Sequence, residues 1–467
     1  MFETIKNCFK VKEIRKKIFL SLLLLLVFRL GCYIPVPGIE VSQFKTTIDN
    51  NEFLGVLSSI TGGSLANATL FALGISPYIN ASIIIQLLTV GIPALERMSK
   101  EGEDGRKKIA QITRYVTIAL AVAQAIGIII NFGLDLPNGG ANSALNLSFF
   151  GHYADKPLVD ETTAKVFAGI FLTVVYTAGS LLVMWLGERI TDYGVGNGIS
   201  LIIFVGIIST AGLTIVERFT EAFGLGDYAG KADPAVLWEV LGFVLLTIVE
   251  FAAIVTVDLS ERKIPVQYAK QVKGRKMYGG QSSVIPMRIS GSGVMPLIFA
   301  FALISFPQML ISLFWPNTDA AKNITIWFSG SSPQWYGQLI YMVTLCLLIF
   351  AFAFFYQSMQ FNPEDVSKTI QQNGGFIQGI RPGKPTAEHL KKISNRITLF
   401  GAIYLSLVAF IPSILSMILV SVLNTNKLAL LSVFSTTGIL IVVSVALELE
   451  KQLESQLMMK TYKGFLK

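Results

Sequence analysis

SITGGSLANATLFALGISPYINASIIIQLLTVGIPALER, residues 59–97, looks like one hydrophobic span but is built as two pieces. Thr61-Gly62-Gly63 opens a short, weakly apolar helix candidate ending near Leu73, and Gly74 and Pro77 interrupt it. Proline lacks an N–H and its ring clashes with the preceding turn, so no continuous helix is expected through Pro77. Beyond it the pattern predicts an apolar helix over 79–90 that stops at Gly91 and Pro93. Broken backbone at membrane depth is tolerated only where it lines a cavity or is buried in protein, which makes the break a candidate pore or site. The break alone fits equally a Pro-kinked transmembrane helix with no role beyond packing, because Pro and Gly are common in such helices.

The rest of the chain sets this stretch in a membrane. Of 467 residues, 52% are hydrophobic and 15% charged, where a soluble domain carries about 25% charged residues. A bilayer core of ~30 Å needs about 20 consecutive apolar residues. Ten spans of that kind are legible, at 18–36, 68–92, 115–133, 166–187, 199–215, 236–257, 293–314, 338–357, 397–422 and 428–447. No polar stretch is long enough for a soluble domain, and no small-residue cleavage site follows the first span as it would in a signal peptide. With the tail 1–17 placed inside and the spans alternating, inner segments hold 30 of the 38 Lys and Arg and outer segments seven, with Arg29 alone inside a span. The positive-inside rule then puts both termini in the cytoplasm. The net charge of +8 is therefore largely topology, not a nucleic-acid signal.

Several function classes lose support on residue content. The cysteines are Cys8, Cys32 and Cys346, the histidines His152 and His389, and no spacing among them suggests a zinc site. Tyr193-Gly-Val-Gly-Asn-Gly-Ile-Ser200 lacks the G-x-G-x-x-G spacing and a preceding strand. It reads instead as a close-packed helix entry. No nucleotide site, metal or cofactor is expected, and no carboxylate pair or H-E-x-x-H suggests an enzyme. A solute transporter on inverted repeats is the competing class, but such proteins place several ionisable groups at the midplane. Here only Glu250 sits mid-span, with Glu239 and Asp258 near span ends.

The chain divides near 216–235, with five spans on each side. An odd number per half makes the halves run in opposite senses, an inverted-repeat arrangement with function at the interface. The predicted fold is an all-α polytopic membrane protein of ten transmembrane helices in two inverted five-helix halves, 1–220 and 221–447, followed by a cytoplasmic tail, 448–467. The basic N-terminal tail reads as an amphipathic surface helix, and Arg29, near the outer end of its span, as a snorkelling side chain. The loop 93–114 carries mixed charge. Two longer loops are patterned. In 258–292, Ile264-Pro-Val-Gln-Tyr-Ala and Ser282-Ser-Val-Ile-Pro-Met predict a hairpin with Lys270, Lys273, Arg275 and Lys276 at its tip. In 358–396, a short helix over 363–372, a Gly-Gly turn and Gly379-Ile-Arg-Pro-Gly-Lys384 are legible. Charge retention alone would account for basic loops; their length and pattern favour an acidic or RNA-bearing partner.

Taken in order, these stretches resemble the SecY family, the channel subunits of the bacterial Sec protein translocase. The resemblance covers essentially the whole chain. It is carried by Ile34-Pro-Val-Pro-Gly-Ile39, Phe71-Ala-Leu-Gly-Ile-Ser-Pro-Tyr-Ile79, Ala81-Ser-Ile-Ile-Ile-Gln-Leu-Leu-Thr89, Gly196-Asn-Gly-Ile-Ser200, Tyr268-Ala-Lys270 with Gly274-Arg-Lys276, and Gly379-Ile-Arg-Pro-Gly383. It implies a clamshell with an hourglass pore, its waist a ring of Ile75, Ile79, Ile199, Ile203, Ile298 and Ile441. It implies a plug at 57–70 containing Gly62, Gly63, Ser64, Leu65 and Ala66, a half-helix expected to pack loosely and to leave. Spans two, three, seven and eight would form a lateral gate for signal sequences, with Gln86, Gln124 and Ser305 as candidate latching side chains. The two basic loops would dock the ATPase SecA and the ribosome through Lys270, Lys273, Arg275, Lys276, Arg381 and Lys384. SecE, SecG, preproteins and the lipid bilayer are the other implied partners, and the bacterial cytoplasmic membrane the implied location. The chain departs from the family pattern at Ser76, where a bulkier residue is usual, and the outer loops 131–165 and 216–235 match nothing that can be placed.

Overall fold

The computed structural model describes residues 7–41, 58, 61–132, 149, 160–225, 234–268, 271–273, 276–278, 282–289, 293, 295–314, 327, 335–423 and 436–464. Helices dominate. In chain order they are α1 (Lys12–Gly31), α2 (Ser76–Gly91), α3 (Pro93–Lys100), α4 (Glu103–Phe132), α5 (Glu161–Tyr193), α6 (Gly198–Ala222) and α7 (Pro234–Asp258), then α8 (Met295–Phe314), α9 (Trp335–Gln360), α10 (Pro363–Gln372), α11 (Lys384–Leu423) and α12 (Thr436–Gly464). Each of the ten predicted spans overlaps one of these helices, but 32–36 of the first and 68–75 of the second are not helical, and 133, 294 and 428–435 lie outside the described residues. Among the described residues six helices are long and apolar enough to cross a bilayer, or seven with the pair α2–α3, which bends by 100°. α1 carries Arg15, Lys16, Lys17 and Arg29 along its length, and charged Glu448, Glu450 and Lys451 follow the apolar part of α12. The protein is an all-α polytopic membrane protein.

The chain forms two compact units. One comprises Met1–Val240, Ala302–Tyr341 and Val445–Lys467, the other Leu241–Phe301 and Met342–Ser444. In the first, Val36, Leu65, Ala68, Ala72 and Leu73 pack against Ala125, Ile128 and Ile129 of α4 and Ala168, Leu172 and Tyr176 of α5, with Phe306 of α8 at the edge. The segment between α1 and α2 thus lies at the centre of a helix cluster. The entry to α6 is close-packed, as its glycines predict. Asn197 caps the helix by accepting from Ile199 N at 3.1 Å, and a Cβ on Gly198 would collide with the Gly187 carbonyl of α5.

The N-terminal tail corrects its prediction as a surface helix. Cys8 and Ile14 are buried against Val195 and Leu453, with Leu449 and Leu457 beside them. The apolar face of the tail is covered by the end of α12 and the α5–α6 turn. Burial, with Glu454 adding to it, pushes the Cys8 thiol above its ordinary value, so this cysteine is an inert core residue.

In the second unit β1 (Glu261–Tyr268), β2 (Gln271–Lys273), β3 (Lys276–Tyr278), β4 (Ser282–Arg288) and β5 (Gly375–Ile377) are the strands. β1 pairs antiparallel with β4, Ile264 opposite Ile285, which bears out the predicted hairpin. Its alternation buries Ile264 and Val266 and exposes Lys263, Pro265 and Gln267. β5, unforeseen in sequence, adds to the other edge of β1 with Val266 opposite Ile377. Two loops separated by two spans therefore share one three-stranded sheet, ordered β4-β1-β5.

α5 approaches the 61–75 segment so closely that a Cβ on Gly179 would strike the Leu70 carbonyl oxygen, whereas nothing lies within 4 Å of one on Gly212 in α6. Backbone cannot yield as a flexible side chain would. Gly179→Ala is expected to destabilise the protein by about 1–3 kcal/mol, lowering its melting temperature in detergent and its level in the membrane. Gly212→Ala, an exposed-space helix position, should be neutral or slightly stabilising. Equal behaviour of the two variants in thermal melts would contradict the packing described.

Candidate functional site

The break between α1 and α2 is built from turns. A short helix from Thr61 and a half-helix over 57–70 were expected, but residues 61–75 contain no α-helix, which begins only at Ser76. The cause is backbone handedness. Gly62, Gly63 and Gly74 have φ of 71°, 81° and 54°, and Ala68 has φ 47°. Each reverses the right-handed path that a helix of L-residues must follow. Pro77, in the first turn of α2, starts the helix, where its missing N–H is not needed. Residues 57, 59 and 60 lie outside the described residues.

Burial corrects the second expectation, that this segment packs loosely. Ser64, Leu65 and Ala68 are 0% exposed, and Thr61 and Thr69 nearly so. The turns satisfy themselves through Gly63 N to Ser58 O at 2.8 Å, Asn67 N to Gly63 O at 3.2 Å and Thr69 N to Ser64 O at 3.1 Å. The Ile34-Pro-Val-Pro turn pairs with the segment's exit, Val36 N donating to Ala68 O and Leu70 N to Ile34 O, both at 3.0 Å. From α5, the Ser180 hydroxyl donates to Gly74 O at 3.1 Å. Arg29 also departs from its prediction. Instead of snorkelling outward it donates from Nη1 to Gly62 O at 2.9 Å and from Nη2 to the Tyr33 hydroxyl at 3.1 Å.

Of the aliphatic residues assigned to the ring, Ile75, Ile79, Ile199 and Ile203 belong to the first unit and Ile298 and Ile441 to the second. Ile75 caps α2 and, like Ile203 and Ile441, is buried; Ile79, Ile199 and Ile298 are half-buried. Ile199 leans over Gly187, where a Cβ would stand 3.3 Å from its Cγ1. Of the gate candidates, Gln86 donates to Ser82 one turn back on α2 at 3.2 Å. Gln124 is buried and its Nε2 has no hydrogen-bond partner among the described residues. Ser305 is half-buried on α8.

The second unit presents the basic loops as one platform. Beneath the sheet, Ile264, Val266, Met287, Ile370, Ile377 and Leu390 form a core that joins β1, β4, α10, β5 and α11. α10 spans the predicted residues, with the Asn362 side chain accepting from Glu364 N at its start. Arg381 is exposed and outside any helix or strand, between Gly379 (φ 82°) and Gly383 (φ 99°), in keeping with the bar to helix that Pro382 sets on it. Two hydroxyls fix this turn from behind: Thr386 Oγ1 donates to Arg381 O at 2.8 Å and Ser367 Oγ to Gly383 O at 2.7 Å. Both residues are buried. Neither was foreseen; the only sequence signal is a hydroxyl on each helix flanking the Gly-rich turn. Lys384 is exposed at the start of α11. Lys273 and Lys276 are opposite in the backbone register of the β2–β3 pair, while Lys270 and Arg275 lie outside the described residues. Arg262, Lys263 and Lys368 add exposed positive charge to the platform.

The turn between α2 and α4 is laced by surface ion pairs, Lys100 to Glu96 at 2.6 Å and Lys108 to Glu101 at 3.4 Å. The Lys100 ammonium holds the Glu96 carboxyl below the usual carboxylate range. Exposed pairs of this kind contribute little to stability. Among the described residues no three His, Cys, Asp or Glu converge as a metal site would need. Glu250 is buried on α7, with neither carboxyl oxygen hydrogen-bonded among the described residues.

Comparison with known proteins gives a consistent result. The family model described as SecY matches residues 69–449. Protein translocase subunit SecY of Streptomyces galbus is 38% identical over the full length of both chains. The subunit of the same name from Thermus thermophilus is 36% identical, covering all of this chain and 98% of that one. Among solved structures, that of a protein-conducting channel is similar with a TM-score of 0.64 at 20% identity, covering 95% of this chain and 93% of that chain. Sec61 in a canine ribosome–channel complex from the endoplasmic reticulum is similar with a TM-score of 0.62 at 19% identity, over the same shares.

The hydroxyl supports of the Arg381 turn can be tested without reference to function. Ser367→Ala combined with Thr386→Ala removes both anchors while leaving the underlying core intact. Amide hydrogen exchange over 379–384 is expected to accelerate at least about tenfold, as two lost hydrogen bonds of about 1 kcal/mol each would allow, with β1 and β4 unchanged. Unaltered exchange in that turn would show that Pro382 and the glycines hold it alone.

Proposed function

The chain belongs to the SecY family of protein translocase subunits, and on that basis we propose that it is the channel through which unfolded preproteins cross, and membrane proteins enter, a bacterial cytoplasmic membrane. The observation that carries the reading is the turn-built segment 61–75, largely buried and internally hydrogen-bonded between α1 and α2. Non-helical backbone of this kind at membrane depth fits a removable seal better than a kinked structural helix. The activity is transport, without catalysis by this chain. It binds no nucleotide, and ATP is consumed by the motor.

In this reading Gly62, Gly63, Ser64, Leu65 and Ala66 belong to the plug. Ile75, Ile79, Ile199, Ile203, Ile298 and Ile441 form the waist between halves 1–220 and 221–447. Branched aliphatic side chains bind no particular ion or residue, so they let any side chain pass and close by dewetting. Gln86, Gln124 and Ser305 contribute to a lateral gate through which signal sequences reach lipid. The tight packing around 61–75 makes plug release a step that must be driven. The platform of β4-β1-β5 and α10 faces the cytoplasm with both termini and docks SecA and the ribosome through Arg381, Lys384 and the 270–276 tip. SecE clamps the halves and SecG sits at the periphery.

Reconstitution in liposomes with SecE, SecA, ATP and a signal-bearing precursor tests the reading: protease-protected precursor is expected, and none would refute it. Arg381→Glu in the same assay should lose nearly all protection while the protein accumulates and retains SecE, because Arg381 is exposed and its turn is fixed from behind. Normal transport by that variant would remove Arg381 from the docking site.

Ile441→Asn separates a pore position from an ordinary core position. Burying an amide in a dry core costs a few kcal/mol and lowers protein level. At the waist the amide meets water when the channel opens, and a substitution shifts such an equilibrium by its differential effect on the two states. The expected phenotype is a gain: export of precursors with defective signal sequences and a small-ion leak. Ile439→Asn, about 200° round the same helix and also buried, should show neither. Like behaviour of the two variants would take α12 out of the pore.

A further inference from the structure

Arg29 is the single cation inside a predicted span, and its guanidinium is committed to the segment that closes the channel. Nη1 donates to Gly62 O at 2.9 Å, Nη2 to Tyr33 Oη at 3.1 Å, and the guanidinium carbon stands 4.9 Å from the centroid of the Tyr33 ring. Gly62 is wedged in place. A Cβ there would lie 2.8 Å from Arg29 Nη1 and 3.1 Å from Gly206 Cα of α6, and φ at Gly62 is 71°. No side chain fits between the guanidinium and the α6 backbone, so the Gly62 carbonyl and Arg29 meet directly. The Arg29–Gly62 contact is 33 residues apart in sequence and ties α1 to the plug.

We infer that Arg29 is the positioning residue that latches the plug shut, a role that rests on the plug reading above and adds the element that holds it. A charge at membrane depth is costly unless paired. In the closed, dry state the fork is paired with the part-buried Gly62 carbonyl, with the more exposed Tyr33 hydroxyl and with the neighbouring Cys32 thiol, and a charged hydrogen bond is stronger in low dielectric than in water. When a translocating segment brings water past α1, the guanidinium is solvated and its hold on Gly62 weakens. The latch is therefore strong when the path is dry and weak when it is wet, so plug release and hydration reinforce each other. Lysine is a poor substitute, because a single ammonium cannot span both acceptors as the planar fork does.

The test uses the complex with SecE in planar bilayers. Arg29→Met is expected to raise resting ion conductance about tenfold, the scale of one lost charged hydrogen bond, and Arg29→Lys to fall between Met and wild type. A tether supplies the readout that a merely structural role would not move. The Cys32 thiol lies against the Ser64 hydroxyl, which has no aligned hydrogen bond. Ser64→Cys oxidised with copper phenanthroline should join the plug to the end of α1. Closing that disulfide in the Arg29→Met background should return conductance to wild type, and reduction should raise it again. Deletion of 60–68 is the control for the plug itself. A leaky deletion with a tight Arg29→Met would overturn the latch and leave the plug; a tight deletion would overturn the plug. A leak in Arg29→Met that the disulfide does not seal would mean a distorted α1 and no latch. If Arg29→Met fails to accumulate, Arg29→Lys with the same tether decides: a partial leak that the disulfide seals supports the latch, and wild-type tightness rejects it.

Discussion

A peptide group in an apolar surrounding has to find its hydrogen-bond partner within the protein. For a helix this is automatic. For residues 61–75 it is not, and most of what is distinctive in the first unit follows from how that requirement is met. The segment draws partners from three directions: its own turns, the Pro-rich stretch after α1, and the side chains of Arg29 and Ser180. Its small residues let α4, α5 and α6 close around it, and glycines on the neighbours, Gly179 and Gly206, let backbone meet backbone. The result is irregular chain with the burial of a helix core.

That packing bears on what opening must accomplish. On the plug reading proposed above, loosely held chain could leave by thermal motion, but a segment whose Ser64, Leu65 and Ala68 are sealed from solvent leaves behind unfilled volume and unpaired carbonyls. Lost packing and lost hydrogen bonds each cost kcal/mol, so the closed state is a well-defined minimum. Within that proposal, work from a motor or from an inserting signal sequence is the counterweight.

Much of this was legible in sequence, and the rest was hidden for physical reasons. Apolar length placed the ten helices, Pro and Gly placed the break, and period-two alternation placed the β1–β4 hairpin. The conformation of the break was not readable, because it hinges on Ala68 at φ 47°, a residue type with no preference for that region. Arg29 read as a snorkelling charge because its partner lies 33 residues away and is a backbone carbonyl, which leaves no trace in side-chain pattern. β5 escaped notice because Gly375-Phe-Ile377 is too short to show alternation and exists only through β1. The tail's apolar face fits a lipid surface or a protein groove equally well until its partner, Leu453, is seen beside it. The waist and gate residues are single positions on apolar helices, where one face looks much like another. Their assignment depends on the family likeness.

The sharing of β1 between two loops has a consequence for how the molecule is made. β1 and β4 can zip together as soon as residue 288 has emerged, but the other edge of β1 waits for Val266 to meet Ile377, about 90 residues later in synthesis. During that interval α8 and α9 must be threaded into lipid while a strand edge with unpaired backbone groups stands open beside the growing chain. An open edge invites any extended peptide nearby. The exposed Lys263 and Gln267 and the Pro265 interruption on β1 make it a poor template for strangers, and the three-residue β5 is enough to close it when it arrives. Nascent chains halted between these two points should thus be the species most prone to mispairing during the protein's own biogenesis.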